Sequence, residues 1–203
     1  KAYANLMRTA LFASVLRWGQ MQAVALLEVV KAVERRFGAE GQQLCIDAIV
    51  KVGRRIGEGI AEEVEQAMPR GLSDIERAAF RTSYINRNVY ASPEAITIVN
   101  EDEYYFDILW CPHQDIYSAR DCRLQRYFVQ GIFEGWASKL GEAGEVARRF
   151  QVQIPKIIPH GDDVCRFYFR RLKEGGEAEG WDRYSQRLAQ RELREMGTGE
   201  RQR

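Results

Sequence analysis

Apolar residues recur every three to four positions over residues 3–37 and again over about 40–66, a spacing that predicts two long helices. Gly38 separates the two runs and is the kind of residue that ends a helix. The second run is interrupted by glycines at positions 53, 57 and 59. Each of them costs up to about 1 kcal/mol relative to alanine. Such glycines indicate either close contact with another helix or a ligand held against the backbone.

Beyond the second helix the pattern changes to short runs. Ser73 and Glu76 have the spacing of a capping box and predict a short helix over 74–82. The runs AITIVN (95–100) and YYFDILW (104–110) are rich in β-branched and aromatic residues and are separated by the acidic link EDE. This pattern predicts an antiparallel hairpin.

The second half of the chain repeats the order of helix and hairpin. Apolar residues at steps of four predict a helix over 115–140. The runs RRFQVQIPKII (148–158) and VCRFYFRRL (164–172) predict a second hairpin, joined by the turn PHGDD. A charged helix is expected over 181–196, and the tail GTGERQR is expected to be disordered.

This order of elements predicts an α+β fold, in which a helical N-terminal half packs on one antiparallel sheet of two hairpins with a long helix between the hairpins. We expect three segments in the chain. Residues 1–38 form an N-terminal helical segment, 39–175 form the α+β domain that carries the site, and 176–203 form a C-terminal helix and the disordered tail.

The charge and cysteine content narrow the function classes. Thirty basic and twenty-nine acidic residues leave a formal charge of +1, which gives no electrostatic reason to expect a nucleic-acid partner. Four cysteines without CxxC pairs favour free thiols in a reducing cytoplasm. No apolar run approaches the roughly 20 residues that span a bilayer. We expect the partner to be a small molecule. Neither a membrane partner nor a cofactor is expected, and a homodimer is a possible assembly.

Two short clusters carry the candidate chemistry, WCPHQD (110–115) and PHGDDVC (159–165), and each contains one of the chain's two histidines. In the first cluster, His113 stands two positions from Cys111, where it could keep the thiol as a nucleophilic thiolate. In the second, His160 and Asp162 could shuttle protons. If their strands are antiparallel neighbours, both clusters lie at one edge of the sheet, close enough for one small substrate to touch Cys111 and His160.

The same residues also fit other roles. Gly161 supplies the positive φ of a turn that Asp162 or Asp163 caps, Cys165 is a small buried apolar residue, and Asp115 caps the next helix. A Cys2His2 metal site would need the two histidines with Cys111 and Cys165, but their spacing is not that of known zinc sites. No bound metal is therefore expected.

Aromatic residues crowd the predicted space between sheet and helix, and a few polar residues stand among them. That mixture is typical of a small-molecule site, although aromatic residues in such a place more often form plain core. The candidate binding residues are Tyr105, Trp110, Arg123, Tyr127, Gln130, Trp136 and Cys165.

The Cys111-Pro112 step after the first hairpin, and the run from Gly161 to Phe167 (GDDVCRF), resemble motifs of the L-2-amino-thiazoline-4-carboxylate hydrolase family. The resemblance covers roughly residues 35–172. More distantly, the chain is similar to the 4-vinyl reductase domain. Two departures matter: the helix RYFVQGIFEGW lacks the Cys-x-x-Asp pair that the hydrolases often carry, and only Cys165 has a counterpart among the zinc ligands of the phenol-sensing relatives.

The resemblance implies a hydrolase-like enzyme that acts on a small heterocyclic or amide-bearing acid, at a cyclic amidine or amide C–N bond. In this hypothesis Cys111 is the nucleophile or a ligand-contacting thiol, His113 or His160 is the base, Asp162 orients it, and Glu134 is a second acid or base. The alternative is a non-catalytic domain of the 4-vinyl reductase type that senses or binds an aromatic molecule. A third hypothesis is a reductase subunit, which would need a redox cofactor.

Overall fold

A helical stretch of 66 residues opens the chain and leads into a second layer of short helices and a sheet. The computed structural model describes residues 2–141, 150–171, 187 and 189–196. Its helices and strands are α1 (Ala2–Ala67), α2 (Asp74–Tyr84), β1 (Glu94–Ile98), β2 (Glu103–Ile108), α3 (Arg123–Leu140), β3 (Phe150–Lys156) and β4 (Cys165–Arg171). Helical backbone is also present at 189–196. The prediction of an α+β fold is confirmed.

Helix α1 consists of two helices that meet at Gly38. The backbone there has φ 59° and ψ −136°, outside the helical region and in a part of φ space that favours glycine. The predicted helix stop at Gly38 is therefore confirmed. The predicted capping box is also present at the start of α2, where the Ser73 backbone N–H donates to the Glu76 carboxylate (2.8 Å).

The four strands form one antiparallel sheet in the order β1-β2-β4-β3. β2 and β4 are the central strands, and their register places Ile108 opposite Cys165. The end of β2 and the beginning of β4 therefore lie together at one edge of the sheet, as the antiparallel prediction required. The loop with Cys111 and the turn before Cys165 both extend from this edge.

The core is built where α3 lies between α1 and the other elements. The N-terminal half of α1 contributes Leu27 and Val30 to a cluster with Tyr117, Leu124 and Tyr127. The C-terminal half of α1 packs with Ile132 and Trp136 of α3 in a second cluster. The inner face of the sheet packs against α2 through a third cluster of Ile75, Ala78, Tyr104, Phe106 and Phe169.

The glycines of α1 allow α3 to approach closely, so the helix-contact interpretation holds for two of the three. A Cβ atom on Gly57 would overlap the Ile132 carbonyl oxygen and lie 2.8 Å from the Ile132 Cα. Gly53 faces Phe128 and Gly131 in the same way. Gly59, in contrast, has no neighbouring atom within 4 Å of the position a Cβ would take.

We therefore expect Gly57→Ala and Gly59→Ala to have opposite effects on stability. Alanine at 57 forces α1 and α3 apart, and such overpacking costs about 1–3 kcal/mol in free energy of unfolding. Alanine at 59 gains about 0.5–1 kcal/mol, because it only removes the helix penalty of glycine. Urea denaturation of both variants checks this, and a change of the same sign in both would contradict the packing explanation.

The structure corrects the start of the third helix. The sequence pattern predicted it from residue 115, but α3 begins at Arg123 and residues 112–122 form turns. The Asp121 carboxylate accepts hydrogen bonds from the Ser118 backbone N–H (2.9 Å) and hydroxyl (2.8 Å), and such local bonds compete with helix formation. Asp115 is exposed and does not cap α3, whose N-cap is Cys122.

Other predicted segments extend beyond the described residues. The tail GTGERQR, residues 172–186 and the predicted boundary at residue 176 lie outside them. Among the helices that the structure describes, none has both the length and the apolar character that crossing a membrane requires.

Candidate functional site

A cavity of about 90 Å³ lies between α3 and the inner face of the sheet, at the edge where β2 ends and β4 begins. The sheet contributes an apolar floor of Phe106, Ile108, Phe167 and Phe169. Since a water molecule needs only about 10–15 Å³ of such space, the cavity has room for a small molecule.

One wall of the cavity is formed by an unusual backbone segment. A π-helical turn, Ile85–Val89, continues α2, and Ala91 follows with φ 51°. π-Helical turns occur frequently at functional sites, and positive φ is uncommon for residues other than glycine. The segment turns the side chains of Asn86 and Tyr90 toward the cavity.

The polar groups of this wall are held by hydrogen bonds. The Asn86 Nδ2 donates to the buried Glu94 carboxylate. The Tyr90 hydroxyl donates to the backbone oxygen of Gln125 (3.2 Å). Burial raises the pKa of Tyr90 well above its ordinary value, so the hydroxyl stays protonated and remains a donor.

Cys111 and His113 lie at one end of the cavity, in the turn that follows β2. The Cys111 Sγ is 3.9 Å from the His113 Nδ1, and both residues line the cavity. The Cys111 backbone N–H donates to the Gln114 Oε1 (3.0 Å), and the imidazole stacks on the Tyr117 ring with centroids 5.1 Å apart. The thiol and the imidazole are therefore held within reach of each other.

Burial sets the protonation of this pair. It raises the pKa of the Cys111 thiol to about 11 and lowers the pKa of the His113 imidazole from its ordinary value of 6.5. At neutral pH the pair is therefore a thiol beside a neutral imidazole. The sequence suggested a resting thiolate, whereas burial shifts the pKa of Cys111 in the opposite direction and outweighs the lowering effect of hydrogen bonds from the His113 and Gln114 backbone. A neutral imidazole next to a thiol is still a general base that can accept the proton during attack.

Helix α3 presents one side to the cavity, with Cys122 at its N-cap and Arg126, Val129 and Phe133 along it. Arg126 is only 4% exposed. Burial raises the pKa of the Cys122 thiol to about 12, and the Arg126 charge acts in the opposite direction. On the facing strand, the Cys165 Sγ accepts a hydrogen bond from the Ile158 N–H (3.2 Å). Three thiols and one guanidinium therefore surround the cavity.

His160 and Asp162 are in the β3–β4 turn and do not line the cavity. The Asp162 Oδ2 accepts a hydrogen bond from the Ile157 N–H (2.7 Å), and Gly161 has φ 98°. These contacts agree with the interpretation of this segment as a turn that Asp162 caps. Cys165, at the end of the same cluster, does reach the cavity.

Three other candidates lie on a neighbouring side of α3, in an open groove against α1. Tyr127, Gln130 and Glu134 line this groove. The Gln130 Nε2 donates to Glu134 (3.2 Å), and Arg54 approaches Glu134 at 3.8 Å. The helical spacing that grouped Gln130 with Glu134 is correct, but these two residues line the groove and not the cavity.

The remaining candidates are also outside the cavity. Both Arg123 Nη2 contacts go to the Glu34 carboxylate (2.7 and 2.6 Å), so this guanidinium is an internal ion pair of the core. Trp136 is fully buried between α1 and α3. Tyr105 lies on the outer face of the sheet, stacked on Tyr168, and Trp110 is partly buried beside Cys111 in the chain but does not line the cavity.

Several cavity residues were not predicted. Cys122, Arg126, Val129 and Phe133 recur at steps of four, three and four, which is the signal of one helix face. Asn86 and Tyr90 carried no such signal, because their orientation depends on the π-helical turn.

The described residues contain no group of three or more His, Cys, Asp or Glu side chains placed to hold a metal ion. Cys111, His113, His160 and Cys165 all lie within the described residues, so the Cys2His2 arrangement is not formed.

Residues 18–169 match the family model of L-2-amino-thiazoline-4-carboxylic acid hydrolase. An uncharacterized protein of Archaeoglobus fulgidus is 40% identical over 176 residues, which cover 87% of this chain and 77% of that protein.

Two solved structures are similar at 16% identity. A trafficking protein particle complex subunit 3 from Naegleria fowleri, covalently bound to palmitic acid, has a TM-score of 0.42 and is matched over 76% of this chain and 95% of its own. The phenol-responsive sensory domain of the transcription activator PoxR, with phenol, has a TM-score of 0.41 and is matched over 76% of each chain. At these scores neither likeness bears on the function.

Proposed function

This chain belongs to the L-2-amino-thiazoline-4-carboxylic acid hydrolase family, and from that premise we propose that it hydrolyses a C–N bond of a small cyclic amidine that carries a carboxylate. The observation that carries the proposal is the Cys111–His113 pair at the end of a mostly apolar cavity. A nucleophile and a base within reach of each other are the minimum for covalent hydrolysis.

The first step follows from the protonation of the pair. The His113 Nδ1 takes the proton of the Cys111 thiol as the sulfur bonds to the amidine carbon, and the C=N electron pair moves onto nitrogen. When the ring C–N bond breaks, the electron pair on the nitrogen that stays re-forms the C=N bond, and the imidazolium gives its proton to the leaving ring nitrogen. Water then attacks the same carbon with His113 as base, the C–Sγ bond breaks, and the thiol is re-formed.

The burial that raises the pKa of Cys111 also favours this route. A thiolate that forms only during attack is poorly solvated in the cavity, so it is a reactive species that the resting protein does not accumulate. The Phe106 and Phe167 rings, stacked with centroids 5.0 Å apart, form part of the apolar lining.

A second candidate is a domain that binds an aromatic or heterocyclic molecule without turnover. It is favoured by the apolar lining, since a cavity with many apolar walls and a few polar groups is the usual composition of a ligand site. It predicts that ligand stabilises the fold without forming any product.

The test is incubation of the purified protein with 2-amino-thiazoline-4-carboxylate, followed by mass spectrometry. Hydrolysis with ring opening gives a product heavier by one water. Thermal stabilisation by the same compound with no such product would favour the binding domain, and the absence of both would remove the proposal.

The pH dependence gives a further expected result. Since burial lowers the pKa of His113 from its ordinary value of 6.5, the acid limb of kcat/KM should have its midpoint below pH 6.5, where the base becomes protonated. His160→Asn is the matched control and should keep this profile. An acid limb with its midpoint above pH 6.5 would contradict His113 as the base. Circular dichroism at each pH separates this limb from unfolding, because the unfolded chain takes up the His113 proton first as the pH falls.

A further inference from the structure

Arg126 brings a permanent positive charge into a cavity whose other walls are mostly apolar. Its side chain is buried, and it lines the same cavity as Cys165 on the facing strand. Burial raises the pKa of the Cys165 thiol, and the Arg126 charge partly offsets this rise. Cys111 and Cys165 in turn act on each other electrostatically. Arg126 and the Cys111–His113 pair therefore lie around the same small space.

An anionic ligand would meet complementary charge here. Of the described residues that line the cavity, none is an aspartate or a glutamate. A guanidinium has five N–H donors in a rigid fork and can bind a carboxylate with two parallel hydrogen bonds. Such bonds are stronger in an apolar surrounding than in water.

We propose that Arg126 is the specificity-determining residue of the cavity and binds the carboxylate of a small substrate. The heterocyclic end of the substrate then lies toward Cys111 and His113. This inference rests on the proposed function for the orientation of the substrate. The choice of a carboxylate over a neutral ligand rests on Arg126 itself.

The position of Arg126 also separates it from Arg123, one turn earlier on α3. Arg123 faces α1 and is paired with Glu34 inside the core, so it is a structural residue. Arg126 faces the sheet and lines the cavity. Two arginines three positions apart on one helix thus have different tasks.

The experiment measures binding in a Cys111→Ser background, so that turnover does not interfere. Isothermal titration compares 2-amino-thiazoline-4-carboxylate with its 4-carboxamide, which lacks the negative charge of the carboxylate. Arg126→Gln should weaken binding of the carboxylate by roughly 10- to 100-fold, the range for hydrogen bonds to a charged group. Binding of the carboxamide should change by less than about threefold, because it loses no ion pair.

Two further variants complete the test. Arg54→Gln removes a positive charge from the α1–α3 groove, outside the cavity, and should leave both affinities unchanged. Arg126→Lys keeps the positive charge but loses the paired N–H donors of the guanidinium, so it should retain part of the preference for the carboxylate. This variant also serves as the test if Arg126→Gln does not fold.

The outcomes separate the two proposals. Equal loss of both ligands in Arg126→Gln, or no loss of the carboxylate in a folded Arg126 variant, would overturn the role of Arg126. Arg126-dependent binding of the carboxylate by a wild-type protein that forms no product would support the role of Arg126 and contradict the hydrolase function.

Discussion

Replacement of Cys111 by serine is expected to lower the turnover of 2-amino-thiazoline-4-carboxylate by roughly 10³-fold or more, the effect of losing a covalent nucleophile. A serine hydroxyl is of similar size and keeps the turn after β2, but it is a far weaker nucleophile beside a neutral imidazole. The hydrogen bond from the residue 111 backbone N–H to Gln114 does not involve the side chain and should persist. The measurement is kcat/KM, with thermal unfolding as the check on folding.

Cys45→Ala is the matched control for this variant. Cys45 is also a free thiol, but it packs against the cluster between α1 and α3 and does not line the cavity. Its replacement should lower stability modestly and leave kcat/KM within about twofold. A Cys111→Ser protein with a tenth or more of the wild-type activity would show that the sulfur is not the nucleophile.

Much of the fold could be predicted because local patterns determine it. Gly38 stands where α1 bends, and the alternation of Phe167 and Phe169 with polar residues identified the inner face of β4. The antiparallel pairing of β2 with β4 was also predicted, although these two strands belong to different hairpins. The start of α3 was missed because Asp121 and Ser118 form local hydrogen bonds, and helical periodicity alone does not report such competition.

The site was harder to predict, because it depends on which side of α3 faces the sheet. Gln130 and Glu134 share one side and Arg126 another, and both sides show helical periodicity. The choice is made by Gly131, which fits against the α1 backbone and fixes the rotation of the helix. A pattern of residue types shows which residues share a helix face. Which element packs against that face depends on the tertiary fold.

The buried pair of Glu34 and Arg123 is expected to be the most sensitive polar contact for stability. Both side chains are 1% exposed, and 89 positions separate them in the chain. Gln42 donates to the same carboxylate (2.9 Å) and to the backbone oxygen of Ala189 (3.0 Å), so the pair joins α1, α3 and the helical segment at 189–196. The contact therefore connects elements from both ends of the chain.

Glu34→Gln should lower the free energy of unfolding by about 3–5 kcal/mol, because it leaves the Arg123 guanidinium buried without its carboxylate. Since domains of this kind are stable by only about 5–15 kcal/mol, the loss is a large part of the total. Urea denaturation at neutral pH measures it, and a loss below about 1 kcal/mol would contradict the role of the pair.

Two comparisons separate this loss from a general effect of removing charge. Lys156→Gln breaks the exposed pair with Asp163 (2.9 Å) and should cost less than about 1 kcal/mol. The double variant Glu34→Leu/Arg123→Met replaces both buried charges by apolar side chains and should recover part of the stability lost in Glu34→Gln. Recovery would show that the single variant fails through an uncompensated buried charge, while an additive loss in the double variant would show that the hydrogen bonds of the pair themselves stabilise the fold.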